Sequence, residues 1–507
     1  MKHNEVPWAG TIGHAEQAMP SPRRSSQPKL YVDESSVDGL NRRQLPFIPV
    51  FAQSVAAIAP AGTSAVTPLF VIAALGGFGG LVAFVVALAV AMLVAACIRP
   101  MAQRVAVVGG LYSYVAQGLG ARFALPTAWS AIVGYGSVSM AGLLAVGLYL
   151  THIAVSVGVS ATVPVVSMSV IVALAAVITC VLMVRGIKVS ATATLVIEVV
   201  SVVIMVGLMV AVAIVHRDAP WSEVFAPHGE GALGIGTVVA VSAFVGFESA
   251  TTLSSEAQKP FLTVPRTLRW TPVAAGAIYL LAVVSQSVAM FGAPDDVRSS
   301  STPLAALFLS EGSRAASVVL DVGIATSFFA CTLASVNALV RVLFCLARER
   351  VAPGPLGRAH PRFRTPAVAI VAAMTVVAVV PLVFLWSGGD PEAGIRAFLT
   401  LSALGYMGSY LTASLAAPVF LRDIGEPSRR IVWLGAIAGL VLGGLLIGAA
   451  FADIGHSTVL FVVYIASMAV VVAAVVVVAR VAPDRLRRVG VFDETRRSDV
   501  LTLSTLR

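Results

Sequence analysis

Between residues 47 and 480 the chain is a succession of apolar runs, joined by short connectors that carry most of its charge. A run of about 20 such residues crosses the hydrocarbon of a bilayer as a helix. Lipid offers the backbone no hydrogen-bonding partner, so each span must satisfy itself. Twelve spans are expected, near 47–74, 79–98, 124–150, 163–184, 190–215, 233–253, 270–292, 315–346, 366–386, 395–420, 430–451 and 457–480. The eighth is longer than a bilayer needs, and its first turns are expected outside or along the membrane. Charged residues make up 12% of the 507 and hydrophobic ones 58%. A soluble domain carries about 25% charged residues, so the fold expected is an all-α integral membrane bundle.

The net charge of +9 would suit a nucleic-acid surface, but the arginines sit in the connectors, where they set topology. With the N-terminus inside, the five inner connectors hold sixteen Lys and Arg, and the outer positions only Arg217, Arg298, Arg314 and Arg396. The bias favours both termini in the cytoplasm and an even number of spans. Residues 1–44 are polar, with prolines, serines and arginines clustered over 20–28 and no apolar signal core. They are expected as a disordered cytosolic tail, and residues 482–507 as a cytosolic C-terminal tail. Cys97, Cys180, Cys331 and Cys345 all lie in apolar spans. Cys331 and Cys345 are separated by about 21 Å of helix, too far to pair. Neither a disulfide framework, a metal set nor a cofactor is implied.

Two spans are interrupted. The first contains Ala59-Pro60-Ala61-Gly62-Thr63-Ser64 with Pro68 beyond, where proline removes a backbone donor and glycine weakens the helix. A kinked continuous helix is the alternative there. The sixth contains Gly246 beside the carboxylate of Glu248, then a polar connector over 254–269. A carboxylate at membrane depth is costly and normally faces a cavity or a partner. Interruptions five spans apart fit two five-helix repeats whose broken first helices meet at the midplane.

Three groups of motifs carry a resemblance: Gly246-Phe247-Glu248 with Glu256-x-x-Lys259-Pro260 and Val264-Pro265-Arg266; Arg341 with Ala347-Arg348-Glu349-Arg350-x-x-Pro353 and the run from His360 to Pro366; and Gly109-Gly110-Leu111-Tyr112-Ser113-Tyr114. Together they resemble the amino acid–polyamine–organocation superfamily over about residues 46–480. The resemblance implies a LeuT-type fold of ten core helices in two inverted five-helix repeats plus two C-terminal helices, with helices 1 and 6 discontinuous, in a transporter domain over 45–481. It also implies alternating access, with amides of the broken first helix meeting a substrate carboxylate and carbonyls of the sixth meeting its amino group. Free N–H groups at a helix start favour an anion in any case. Carried over, the anion side falls on Ala61, Gly62 and Thr63, and the cation side on Ser242, Phe244, Val245 and Gly246. Ser242 stands where some relatives place an aromatic lid, a role left to Phe244 or Phe247. Ser201 stands where some place a lysine in the fifth span, which leaves the coupling ion open.

Glu248 is either a protonatable gate or a carboxylate capping the reopened helix. Glu198, in the fifth span, is a second candidate for proton coupling or gating, with a structural pairing to Arg185 or Lys188 as the alternative. Asp321 is two turns from Arg314, a possible partner. Tyr135, Asn337, Tyr406 and Tyr410 can line the cavity or, for the tyrosines, anchor at the interface. Gly435, Gly439 and Gly443 form a small-residue face, for packing within the chain or between two copies. The run over 76–80 lacks the lysine of a phosphate loop and reads as a turn between spans one and two.

The function expected is a plasma-membrane permease importing an amino acid or related amine with protons, as a monomer or homodimer, sodium being the other coupling ion considered. A potassium or other cation carrier on the same fold, and an exchanger of amino acids or polyamines, are the alternatives. An enzyme would need clustered His, Asp or Glu or a nucleotide motif in a loop. No acidic pair in the sequence marks a cationic side chain, and no inward arginine within a span marks an acidic one.

Overall fold

Lipid demands helices of these residues, and helices form. In chain order they are α1 (Phe47–Ala56), α2 (Pro60–Ala102), α3 (Leu111–Leu119), α4 (Ala121–Ser156), α5 (Pro164–Val184), α6 (Ile187–Val215), the single turn α7 (Trp221–Val224) and α8 (Leu233–Ser242). There follow α9 (Pro260–Met290), the short α10 (Asp295–Arg298) and α11 (Pro303–Ser310), α12 (Arg314–Arg348), α13 (Ala367–Trp386), α14 (Pro391–Asp423), α15 (Arg429–Phe451), α16 (Ser457–Val481) and α17 (Pro483–Leu486). The computed structural model describes residues 39–158, 164–227, 233–300, 302–451, 457–490 and 492–493. The tail expected over 1–44 lies outside the described residues as far as residue 38, and the C-terminal tail does so from residue 494.

Ten helical stretches among the described residues are long and apolar enough to cross a membrane. One of them, Phe47–Ala102, runs 56 residues and is interrupted twice. Ala59 (φ 49°, ψ 55°) separates α1 from α2, and Gly76 (φ 71°, ψ −179°) leaves the helical conformation inside α2. The glycine run expected as a turn is therefore a one-residue bend. The expected sixth span is not a continuous helix either: α8 stops at Ser242, and a short 3-10 helix, Ser249–Leu253, follows the break. The connector expected over 254–269 is shorter than expected. Helix α9 begins at Pro260, whose fixed φ and missing N–H suit a first turn, and so takes in Pro265, Arg266 and Arg269.

The most apolar window of α12 is 89% buried and that of α16 only 11%, so α12 runs through the centre and α16 presents Val462, Val463, Val470 and Val477 outward. Helices α12 and α14 each pack on α4, and α2 packs on α8 and α9. On α15, Gly435 and Gly439 lie against α14: a Cβ added to either would meet Ser414 O at 2.9 Å or Leu415 Cδ2 at 3.0 Å. These two glycines serve packing within the chain.

One end of the bundle is closed by backbone pairing. Arg43 N–H donates to Ser255 O (3.0 Å), Gln44 N–H to Glu256 O (2.7 Å) and Gln258 N–H to Leu45 O (2.8 Å). Residues expected to belong to a free tail are thus paired with the connector after the second break. Beneath them Arg341 of α12 meets Glu256 at 2.6 Å, with side chains 5% and 2% exposed. Arg341 also donates to the backbone oxygen of Asn337 (2.9 Å) and its Oδ1 (3.3 Å), so Asn337 orients the guanidinium. At the same end Asp493 pairs with Arg42 (2.9 Å), and its N–H donates to Ala106 O (2.9 Å). Gly490 N–H donates to Glu349 Oε1 (2.8 Å) and Gln117 Nε2 to Gly490 O (2.8 Å).

Candidate functional site

The first break follows from Pro60. Its missing N–H and its ring end the preceding helix, and the residue before a proline is driven out of the α region. Ala59 takes a left-handed conformation instead, which costs about 1–3 kcal/mol for a residue with a Cβ. Helix α2 restarts at Pro60, so the amides of Ala61 and Gly62 lie in a first turn with no preceding helical carbonyl to meet. Thr63 differs: its N–H donates to Ala59 O (2.8 Å) and its Oγ1 to Ile58 O (3.0 Å). A Cβ at Gly62 would fall 2.8 Å from the Phe328 ring.

The second break turns on Gly246 (φ +98°), where a Cβ would meet the carbonyl oxygen of Ala57 at 2.9 Å. The two interrupted segments therefore touch. Side chains stitch them: Ser54 Oγ donates to Phe247 O and Ser249 Oγ to Gln53 O (3.4 Å), while Gln53 Nε2 donates to Ala334 O of α12 (2.6 Å). Tyr279 Oη donates to Ala243 O (2.8 Å). Gly246→Ala combines a strained φ with this clash and is expected to destabilise the protein by about 1–3 kcal/mol. Gly292 has φ +75° with nothing within 4 Å of a Cβ, so Gly292→Ala isolates the strain. Thermal midpoints in detergent should fall clearly further for Gly246→Ala; equal shifts would show that the contact with Ala57 does not matter.

Glu248 lies just past the second break and is 1% exposed. Tyr135 Oη donates to its Oε1 at 2.8 Å and Tyr410 Oη to its Oε2. Tyr410 Oη also accepts the N–H of Gly246 (2.8 Å). The carboxylate stands at the N-cap of the 3-10 helix but makes no capping hydrogen bond to it; two tyrosines hold it instead. Tyr406 sits edge-on to Tyr135, ring centroids 5.1 Å apart. These tyrosines are buried around Glu248 rather than placed at an interface.

Two overlapping cavities open toward the end that carries Arg298, Glu392 and Arg396. One, of about 740 Å³, is walled by Phe70, Tyr149, Leu320, Asp321, Ile324 and Glu392 among others. The other, of about 310 Å³, descends past Val66, Leu148, Leu404 and Met407 to Thr63, Ser242 and Phe328. Thr63 and Ser242 thus reach a cavity wall, while Ala61, Gly62, Phe244, Val245, Gly246 and Phe247 are buried beneath it. Phe244 packs edge-on to Tyr279 (5.1 Å) and Phe247 beside Tyr410 (5.3 Å).

Residues 45–487 match the family described as amino acid permease. The chain belongs to the amino acid permease family. The permease is a multi-pass membrane transporter of the amino acid–polyamine–organocation superfamily and not an enzyme. It is 29% identical over 399 residues to an uncharacterized transporter of Mycobacterium tuberculosis, covering 76% of this chain and 80% of that protein. It is 24% identical over 171 residues to a branched-chain amino acid permease of Bacillus subtilis, covering 33% and 36% of the two chains. It is also 27% identical over 209 residues to cationic amino acid transporter 4 of Mus musculus, covering 40% and 31%.

In the permease the expected partners of two buried acids are not the real ones. Glu198 makes no ion pair with Arg185 or Lys188; Ser327 Oγ approaches its Oε1 at 3.4 Å and its Oε2 has no partner. Ten residues from Lys188 is about 15 Å of helix, beyond reach. Asp321 makes no ion pair with Arg314, which is exposed about 10 Å away along α12, and Asp321 Oδ1 has no partner. Asn337 lies by Arg341 and lines neither of the two large cavities. The aromatic rings at the cavity walls include Phe70, Tyr149, Phe291 and Phe328, which sequence reasoning passed over. Asp321, Ile324 and Phe328 recur at helical spacing on one face, and a carboxylate leading an apolar stripe was the available signal.

Proposed function

We propose that the permease is a secondary active transporter that imports an amino acid or related amine across the plasma membrane by alternating access, coupled to protons. The proposed architecture is twelve spans with both termini cytoplasmic, two inverted five-helix repeats followed by two C-terminal helices, over residues 45–481. The observation that carries this reading is the contact between the two helix breaks beneath a cavity, with Glu248 clamped beside them. Ala61, Gly62 and Thr63 would meet the substrate carboxylate, where a helix start favours an anion. Ser242, Phe244, Val245, Gly246 and Phe247 would surround the amino group. Glu248 and Glu198, buried carboxylates, would exchange the coupled proton. The relatives named for amino-acid transport agree with the class.

A bare cation carrier would need a narrow path of hydroxyls and carbonyls. The apolar wall and the room for a carbon skeleton speak for an organic substrate. The test is uptake by purified protein in liposomes, with labelled amino acids and polyamines and an imposed inward proton gradient. Gradient-driven accumulation is the expected result. Uptake only into vesicles preloaded with a second amino acid would make it an exchanger, and rubidium flux without organic uptake would make it a cation carrier.

A further inference from the structure

We infer that Asp321 anchors a second positive charge on the substrate, so that the permease takes a cationic amino acid or a diamine of similar length. This rests on the amino-acid reading above and narrows it. Asp321 is 3% exposed, lines the larger cavity, and its Oδ1 has no hydrogen-bond partner. A carboxylate at that depth is costly without a partner, and one that faces a cavity marks a ligand path. The two arginines that line the same cavity are engaged elsewhere: Arg298 with Asp295 at 2.6 Å and Arg396 with Glu392 at 3.7 Å. Arg314, on its own helix, is exposed and unpaired with it.

Position then fixes the kind of cation. Asp321 and Phe328 are seven residues apart on α12, about 10 Å along its axis, and both line the cavities. The ring of Phe328 touches Gly62 in the first turn of α2. A ligand whose carboxylate sits at that turn would extend toward Asp321 over that rise, about the reach of a whole lysine and its hydrogen bond, with Ile324 walling the aliphatic stretch between. A proton or sodium ion would fill the site equally well by charge alone, but neither uses that wall.

The test compares L-lysine with L-norleucine, which lacks only the terminal ammonium, as competitors and as labelled substrates in proteoliposomes. Wild type should prefer lysine by roughly tenfold or more, the worth of one charge-assisted hydrogen bond. Asp321→Asn should bring the ratio to about one with norleucine uptake retained, and Asp321→Glu should restore part of the preference. Norleucine handled as well as lysine by wild type overturns the inference and needs no variant. So does an unchanged ratio in Asp321→Asn. If wild type moves neither these nor any other amino acid or amine, the permease reading itself falls, and this inference with it.

Discussion

Liposomes carrying Glu248→Gln are expected to lose their response to an inward proton gradient and to take up substrate at about a tenth of the wild-type rate or less. The carboxylate accepts from two hydroxyls at once, and one of these, Tyr410, already accepts the Gly246 N–H. An amide offers one acceptor oxygen and one NH₂. Whichever way it turns, one tyrosine O–H is left buried without an acceptor, at a cost of about 1–3 kcal/mol, which corresponds to roughly tenfold or more in any equilibrium it controls. That cost applies even if Glu248 only holds the break together. Tyr135→Phe separates the two roles, because it removes one donor and leaves the titratable group in place. If Glu248 carries the proton, Tyr135→Phe still accumulates substrate in response to the gradient while Glu248→Gln does not. If both variants slow uptake in step with their loss of thermal stability, and both still follow the gradient, the coupling role is lost.

The second large effect is expected at the closed end. Arg341→Ala leaves the Glu256 carboxylate buried without its cation, which costs about 3–5 kcal/mol. Replacing both partners with apolar residues of similar volume, Arg341→Met with Glu256→Leu, removes the charge together with its counter-charge and is expected to be nearly neutral. Thermal unfolding in detergent reads both. A single variant as stable as wild type would show that Glu256 finds another partner or water. A double variant as unstable as the single would show that the hydrogen bonds from Arg341 to Asn337 matter more than the charges.

The sequence makes the spans and both breaks legible because each is a local matter. A run of apolar residues declares its own crossing, Pro60 ends its own helix, and Gly246 admits a conformation that its neighbours cannot adopt. What the side chains meet is another matter. Tyr135 and Tyr410 reach Glu248 across 113 and 162 residues of chain. Which faces of α4 and α14 turn inward depends on rotation about axes that are apolar nearly all round, where periodicity gives little guidance. The same gap explains Glu198 and Asp321. Neighbouring basic residues in the sequence suggested partners, yet helix rise places those cations too far along the axis. Asp321 gained its meaning only when α4, α12 and α14 brought Tyr149 and Glu392 to the same cavity.

Arg42 and Asp493 stand 451 positions apart and still share an ion pair. A ribosome makes the chain from one end, and earlier segments fold while later ones are still to come. Arg42 therefore emerges before the membrane bundle and must wait through its insertion before its partner exists. The closed end is finished only after the bundle it seals.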